Sequence, residues 1–413
     1  MKVVLMAGGK GTRISSVASD IPKPMIPIGE KPVLEWEIEC LKKQGFTDIL
    51  ITVSHLGQTI IDYFGDGSKY GVNIEYYFEH EPLGNAGALF RIKDKLTDDF
   101  LLLNADAIFD IDFNRFVDYH RKKGGLVTLF THPNSHPYDS GVIVSNKDGA
   151  VEKWLTKEDV RPEWYKNRVN AGLHVVDKRL LDTEINAPKI DLDRQLLKPL
   201  QGSGKMFVYD SPEYVKDMGT PDRYYSVCED FKRGIVQAKN LKNKQKAIFL
   251  DRDGTINKYV GFLRDIDDFT LINGASEAIK KINSSGYLAI VVTNQPVIAR
   301  GEVTFDELDN IHNKMETLLG KEGAYLDAIY YCPHHPHKGY DGEIPELKFD
   351  CDCRKPKPGM LFKAATDFNI DLSQSWMIGD GDNDILAGES AGCKTRKIEE
   401  GENLLDIINS ILG

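Results

Sequence analysis

Lys2-Val-Val-Leu-Met-Ala-Gly-Gly-Lys-Gly-Thr-Arg13 opens the chain: a short aliphatic run, Lys2–Met6, that breaks at once into a glycine-rich turn. Residues 247–255, Ala-Ile-Phe-Leu-Asp-Arg-Asp-Gly-Thr, do the same with an aspartate-rich turn. Each reads as a buried strand followed directly by a functional loop. Between and after them, apolar β-rich runs (DILITVS, FLLLNAD, LVTLFTH, AGLHVVD, then LAIVVTN and SWMIGD) alternate with helical patterns such as PVLEWEIECLKKQG. Strands alternating with helices predict α/β architecture, with helices on both faces of parallel or mixed sheets. In such sheets ligands sit beyond the carboxyl ends of the strands, where both opening turns fall.

The chain has 413 residues, too many for one ordinary domain, so two are expected. The stretch IVQAKNLKNKQK, residues 235–246, is rich in Lys, Asn and Gln and reads as an exposed linker or the frayed end of a helix. It divides the chain into domains 1–234 and 247–413. Composition is 41% hydrophobic and 28% charged, which fits a globular enzyme rather than a disordered chain. The net charge of −11 supplies no positive field for a phosphate backbone, so nucleic acid is excluded as a partner. No apolar run approaches the roughly 20 residues needed to cross a bilayer, and the glycines arrive too early for a signal-peptide core. A cytoplasmic enzyme is expected, with no membrane partner; a homo-oligomer is left open.

In the first half, glycines let the backbone approach a triphosphate and present N–H groups to its oxygens, and Arg13 adds a bidentate fork. Pro22-Lys23-Pro24 fixes a second cation near the same place. A glycine-rich turn by itself is ordinary. GGxGTR followed by PKPM resembles the sugar-1-phosphate nucleotidyltransferases, over about residues 1–232. The resemblance implies a mixed-sheet fold in which Gly8, Gly9, Gly11, Thr12, Arg13 and Lys23 hold the triphosphate. It implies Mg²⁺ on Asp106 and Asp217, and places Gly84, Asn85 and Gly87 of LGNAGA near base and sugar. Lys153 of Glu152-Lys153, and Asn170 and Gly172 of Asn-Ala-Gly, would hold the sugar phosphate and sugar. The sugar phosphate would attack the α-phosphorus of a nucleoside triphosphate, with positioning and charge supplying the rate. Two departures stand out: Ile14-Ser15-Ser16 after the arginine, and Trp154 after Lys153. SSVASDIPKPMIPI looks most like the branch that guanylylates a heptose 1-phosphate, and guanine rests on that likeness alone.

In the second half, Asp251 and Asp253 at i and i+2 past a strand end can share one Mg²⁺ and still differ in role, one attacking phosphorus, the other moving the proton. With Thr293-Asn294 ending a strand, Arg354-Lys355, and Asp380 and Asp384 in IGDGDND, the series resembles the haloacid-dehalogenase phosphatases, which implies a parallel sheet. By that resemblance Asp251 is the nucleophile and Asp253 the general acid/base. Thr293 and Lys355 stabilise the phosphoryl group, Asn294 and Arg354 contact substrate, and Asp380 completes the Mg²⁺ site with Asp251 and the Asp253 carbonyl. Asp384 supports rather than ligates.

Three of the six cysteines fall between positions 332 and 353. Cys332-Pro-His334 and Cys351-Asp-Cys353 offer three sulfurs and one imidazole, a closed tetrahedral zinc set with no open position. His335 and His337 are alternative imidazoles; His334 is the one at the position used in the zinc-loop phosphatases that DRDGT, CPHHP and CDCRKPKPGM resemble. Cys40, Cys228 and Cys393 read as small buried hydrophobes. The resemblance reaches the branches acting on heptose 1,7-bisphosphate and on histidinol phosphate, with Pro296-Val297 and Gly381 as departures. Fused to a sugar nucleotidyltransferase, the heptose branch makes chemical sense, since its product is a sugar 1-phosphate. The expected substrates are therefore heptose phosphates and GTP. The alternative is a hexose 1-phosphate nucleotidyltransferase using GTP, UTP or dTTP beside a histidinol-phosphate-type phosphatase. A non-catalytic sensor is disfavoured because every charged residue the chemistry needs is present.

Overall fold

The computed structural model describes residues 1–8, 21–54, 56–156 and 158–413. It divides into two compact units, the first comprising residues 1–132, 143–154 and 170–240, the second 133–142, 155–169 and 241–413.

The first unit is built on a nine-stranded mixed sheet: β1 (Lys2–Met6), β2 (Asp48–Val53), β3 (Asn73–Phe78), β4 (Asp99–Asn104), β5 (Val127–His132), β6 (Val142–Ser145), β7 (Val151–Leu155), β8 (Val169–Asp177) and β9 (Met206–Asp210). Its order is β7-β6-β8-β4-β1-β2-β3, with β5 beside β8 and β9 beyond β5. β1 runs parallel to β2 and β4, while β8 is antiparallel to β4. Along β1 alternate side chains enter different cores: Val3 and Leu5 pack with Leu101 and Leu103, whereas Val4 packs with Phe100 and Leu102. Both faces are covered, which is why these strands read as continuous apolar runs. Met6 is in register with Thr52 and with Asn104, so three parallel strands end at one level, under the turns that follow.

The second unit carries a five-stranded, all-parallel sheet: β10 (Lys246–Leu250), β11 (Tyr287–Asn294), β12 (Ala328–Cys332), β13 (Trp376–Gly379) and β14 (Lys394–Lys397), in the order β12-β11-β10-β13-β14. Ile248 and Leu250 face one core, Ala247 and Phe249 the other. The predicted α/β class, mixed in one half and parallel in the other, is the observed one.

Of the two readings of 235–246, the helix end is the one observed at its start, and the stretch is exposed only at Ala238 and at residues 242–244. Ile235–Ala238 is a helical turn, and Ile235, Val236 and Leu241 are buried. Its few apolar side chains are spaced to pack inward, so composition alone misjudges it. Residues 133–142 and 155–169 also depart from a contiguous 1–234 unit, because they pack on the helix Phe305–Lys321. There the Arg168 guanidinium meets Glu316 at 3.0 Å and donates to the Asp327 carbonyl at 3.1 Å. Glu316 also accepts from the Asn167 amide at 3.2 Å, and Thr317 exchanges hydrogen bonds with the Tyr165 backbone. Both ionic side chains are almost wholly buried, 6% and 2% exposed. Removing one partner strands the other charge. Glu316→Ala should therefore cost about 3–5 kcal/mol in equilibrium denaturation. A loss below about 1 kcal/mol would mean that water reaches Arg168 once its partner is gone.

Two candidate active sites

The first site lies over the carboxyl ends of β1, β2 and β4, in a cavity of about 360 Å³ lined by Met6, Ala7, Gly8, Lys23, Pro24, Thr52, Glu79, Gly84, Asn85, Asn104 and Asp106. Asp106 stands two residues beyond the end of β4, and the Lys23 ammonium reaches its carboxylate at 3.0 Å. The prolines flanking Lys23 set the backbone from which it does so. Tyr214–Asp217 pairs antiparallel with Ala107–Asp110, and Asp217 falls opposite Ala107, beside Asp106. Arg223 holds Asp217 at 2.9 Å. Asp106 lies in the turn after β4 and Asp217 at the end of the pairing strand, each held by a cation, and carboxylate oxygens are the hard donors that Mg²⁺ takes.

Gly84 sits at φ +82°, and a Cβ there would lie 2.3 Å from the Ile190 carbonyl oxygen. Only glycine lets that turn close on the cavity. The neighbouring Asn85 accepts from the Leu192 amide at 2.7 Å, and Gly87 opens the helix Gly87–Arg91. Asn170 and Gly172 lie on β8, where the Asn170 side-chain oxygen Oδ1 accepts from the Gly172 amide and pairs with His174 Nε2 at 3.1 Å. Gly9, Gly11, Thr12 and Arg13 fall outside the described residues. Lys153 is exposed on β7, beside the buried Trp154; like Gly87, Asn170, Gly172 and Asp217 it is not among the residues lining the cavity. Sequence reading missed Glu79, Asn104 and Arg223. Asn104 was within reach, standing two residues before Asp106 in the same run. Burial pushes the Glu79 carboxyl up.

The second site lies over β10, β11 and β13, in another cavity of about 360 Å³. It collects Asp251, Asp253, Thr293, Asn294, Arg354, Lys355, Asp380 and Asp384, all singled out from sequence, together with Gln295, Gly381 and Asn383. Asp251 follows β10 directly, and Asp380 follows β13. Asp251, Asp380 and Asp384 each bring an oxygen within 4.8 Å of the others. Among them lies the buried Lys355 ammonium, 2.8 Å from Asp251 and 2.5 Å from Asp384. Burial opposes that ammonium, but Asp251 and Asp384 outweigh it and hold its pKa above the usual lysine value. Burial raises Asp251; Lys355 opposes the rise and Asp384 reinforces it. Asp380 is raised by burial and then by Asp251. Three carboxylates against one ammonium leave negative charge uncompensated, as a divalent cation site requires. The loop is shaped for it: Gly254 has φ +81°, and a Cβ there would lie 2.0 Å from Asp380.

Asp253 does not join that cluster. Its carboxylate is held by Arg252 at 2.8 and 2.9 Å, Asn257 at 3.0 Å and Gln295 at 2.9 Å. Arg252 is fully buried, and its other nitrogen meets His312 Nε2 at 3.3 Å. A guanidinium only donates, so that imidazole nitrogen accepts; burial and then Arg252 push His312 far below its usual pKa. Asn294 works through the backbone, bonding both N–H and C=O of Lys355 at 3.0 and 2.9 Å. Thr293 accepts from Gln295 at 2.9 Å. Arg252, Asn257 and Gln295 were not predicted, although Arg252 lies inside Asp-Arg-Asp-Gly-Thr and Gln295 directly follows Thr293-Asn294.

Cys332 ends β12, and its sulfur lies 3.5 Å from Cys351 and 3.3 Å from Cys353. His334 Nδ1 is 3.2 Å from Cys353. All four donors lie within 4.8 Å of one another and no disulfide forms. Contacts from Cys332 in first place, then Cys351 and His334, hold the Cys353 thiol down to about 5. This is a Cys/His metal-binding geometry. His335 instead pairs with the His337 carbonyl at 3.1 Å. Of the remaining cysteines Cys40 is buried, while Cys228 and Cys393 are half-buried.

The nucleotidyl transferase family model matches residues 2–233, and a HAD-hydrolase-like model matches 352–407. D-glycero-beta-D-manno-heptose-1,7-bisphosphate 7-phosphatase of Haemophilus ducreyi is 43% identical over 178 residues, covering 41% of this chain and 95% of that protein. UTP–glucose-1-phosphate uridylyltransferase of Synechocystis is 34% identical over 261 residues, 59% of this chain and 66% of the relative. The crystal structure of HddC from Yersinia pseudotuberculosis matches at 26% identity over 56% of this chain and 99% of that one, with a TM-score of 0.49.

Proposed function

The chain belongs to the nucleotidyl transferase family and, in its C-terminal part, to the heptose-1,7-bisphosphate 7-phosphatases, and from that premise we propose that it catalyses two consecutive steps toward a GDP-heptose. The observation that carries this is the Asp251–Lys355–Asp380 centre, standing in a stretch alignable with nearly the whole of a heptose bisphosphate phosphatase. The second unit removes the 7-phosphate. The product, a heptose 1-phosphate, is the class of substrate that the first unit's chemistry consumes.

In the phosphatase step an Asp251 oxygen attacks the phosphorus of the 7-phosphate, forming an aspartyl-phosphate as the bond from phosphorus to the sugar oxygen breaks. Asp253 delivers a proton to that oxygen, then takes one from the water that hydrolyses the aspartyl-phosphate and releases orthophosphate. Thr293 and the Lys355 ammonium steady the transferring group. Arg252, Asn257 and Gln295 aim the Asp253 carboxyl. Mg²⁺ held by Asp251, Asp380 and the Asp253 carbonyl would neutralise charge on the phosphoryl oxygens. Cys332, His334, Cys351 and Cys353 would hold a structural Zn²⁺, whose rigidity Arg354-Lys355 inherits from the adjoining Cys353.

In the transferase step an oxygen of heptose 1-phosphate attacks the α-phosphorus of GTP and pyrophosphate leaves. Lys23 and Arg13 would meet the triphosphate, and Mg²⁺ on Asp106 and Asp217 would offset charge between the two anions. Gly84, Asn85, Asn170 and Gly172 surround base and sugar. Asp106→Asn is expected to lower pyrophosphate release about 10²–10³-fold while orthophosphate release is unchanged, as pyrophosphate and phosphate assays on the same protein would show.

Uridylyl transfer is the second reading, favoured by the Synechocystis relative. The test is purified protein with heptose 1,7-bisphosphate, Mg²⁺ and each nucleoside triphosphate separately. Orthophosphate in every tube with pyrophosphate only beside GTP supports the proposal. Pyrophosphate only beside UTP replaces guanine with uracil. Neither product, from folded protein, overturns the heptose reading in favour of hexose phosphates and histidinol phosphate. A cytoplasmic setting accords with GTP as co-substrate. Among the described residues no helix is long and apolar enough to cross a membrane.

A further inference from the structure

One charged side chain beside the second cavity has no role in the chemistry above, yet is almost buried. Arg300 is 9% exposed, and its guanidinium lies between two rings, 4.1 Å from the centroid of Phe262 and 4.2 Å from that of Tyr340. It donates to the Tyr340 hydroxyl at 2.8 Å. Tyr340 belongs to the loop between His334 and Cys351. Phe262 belongs to the stretch 259–263, of which Tyr259, Gly261, Phe262 and Leu263 line the cavity. The turn carrying Arg300 itself begins at the cavity wall, with the Arg300 amide bonded to the Pro296 carbonyl at 3.1 Å. A second tie runs beside the first: Glu302 takes the Arg264 guanidinium at 2.8 Å.

The stretch held in this way is conspicuously apolar for its exposure. Tyr259 is 70% exposed, Val260 46% and Phe262 45%. Such side chains at a cavity mouth are suited to the C–H faces of a sugar skeleton, provided they are held still before the substrate arrives. The reacting phosphate is already served by Asp251, Thr293 and Lys355 at the cavity floor. Pro296 and Val297, on the turn that carries Arg300, are the other apolar residues of the lining.

We propose that Arg300 is a specificity-determining positioning residue of the phosphatase, stacking between Phe262 and Tyr340 to fix Tyr259–Leu263 as the wall against which the sugar skeleton lies. The inference rests on the phosphatase reading above. The guanidinium meets both rings while donating to the Tyr340 hydroxyl, a combination that the compact point charge of an ammonium does not reproduce. Arg300 touches no reacting atom, so its loss weakens substrate binding and spares the chemical step.

The test is steady-state orthophosphate release by the full chain, with heptose 1,7-bisphosphate and with acetyl phosphate, a substrate too small to reach the wall. In Arg300→Ala and Phe262→Leu, KM for the bisphosphate should rise about tenfold; in Arg300→Ala kcat should stay within about threefold. Arg300→Lys should not recover KM, and hydrolysis of acetyl phosphate by Arg300→Ala should match the wild type. An unchanged KM in both Arg300→Ala and Phe262→Leu overturns the proposal. So does full recovery by Arg300→Lys, or a parallel loss of acetyl phosphate hydrolysis, which would locate the defect at the catalytic floor. If the wild type hydrolyses acetyl phosphate but not the bisphosphate, the substrate reading fails instead, and the same ratios on histidinol phosphate decide the role of Arg300.

Discussion

Asp251→Asn is expected to reduce orthophosphate release from heptose 1,7-bisphosphate by on the order of 10⁴-fold or more, the scale seen when a covalent nucleophile is removed. The amide matches the carboxylate in shape but is no nucleophile toward phosphorus. Folding should survive the change. Asp251 is a buried acid crowded by Asp384 and Asp380, and an amide relieves that repulsion while Lys355 keeps Asp384 at 2.5 Å. The thermal midpoint should therefore hold or rise slightly, which separates lost chemistry from lost structure. Supplied with heptose 1-phosphate and GTP, the same variant should release pyrophosphate at the wild-type rate. Rapid quenching of wild-type protein with labelled bisphosphate should trap phosphate on the chain, and Asp251→Asn should trap none. A variant that retains a tenth of the orthophosphate activity would remove Asp251 from the nucleophile's role.

Cys351→Ser is expected to abolish stoichiometric zinc binding, read by elemental analysis of purified protein, and to lower the thermal midpoint of the second unit. Apparent zinc-binding free energies of roughly 10–16 kcal/mol in small zinc-dependent domains set the ceiling for what such a site contributes. Cys332 and Cys351 also belong to one of the two cores of the five-stranded sheet, while the other core holds none of the four donors. The loss should be local and still reach the chemistry. Arg354 and Lys355 follow the last sulfur directly, and Asn294 holds Lys355 through its backbone. Orthophosphate release should fall while pyrophosphate release continues. Full activity in a zinc-free variant would show that Asn294 alone positions Lys355. His335→Ala, by contrast, should keep its zinc, since that imidazole pairs with the His337 carbonyl and stands outside the sulfur cluster.

Much of both sites could be read from the chain because their residues follow strand ends. A strand that stops in Asp-Arg-Asp-Gly-Thr delivers Asp251 to the carboxyl edge whatever the rest of the sheet does. The same holds for Asp106, Thr293 and Asp380. The thiol–imidazole set was legible because i, i+2 spacing already brings each pair of donors together. Asp253 shows where such reading stops. A motif placed it past a strand end, but only the closed structure brings Asn257 and Gln295 onto its carboxylate.

The sequence by itself determined the α/β class of both units, the two turns that carry the chemistry and the donor sets they present, because these depend on hydrophobic periodicity and short spacings. Only the tertiary structure decided what holds those groups in place. Arg168 meets Glu316 across 148 residues of chain, Gln295 reaches Asp253 across 42, and Arg300 meets Tyr340 across 40. It also decided that residues 133–142 and 155–169 pack with the second unit and that 235–238 are helical and partly buried. Contacts of that range arise only when separate strands and helices close into layers, and no local pattern records which side chains the closed layers bring face to face.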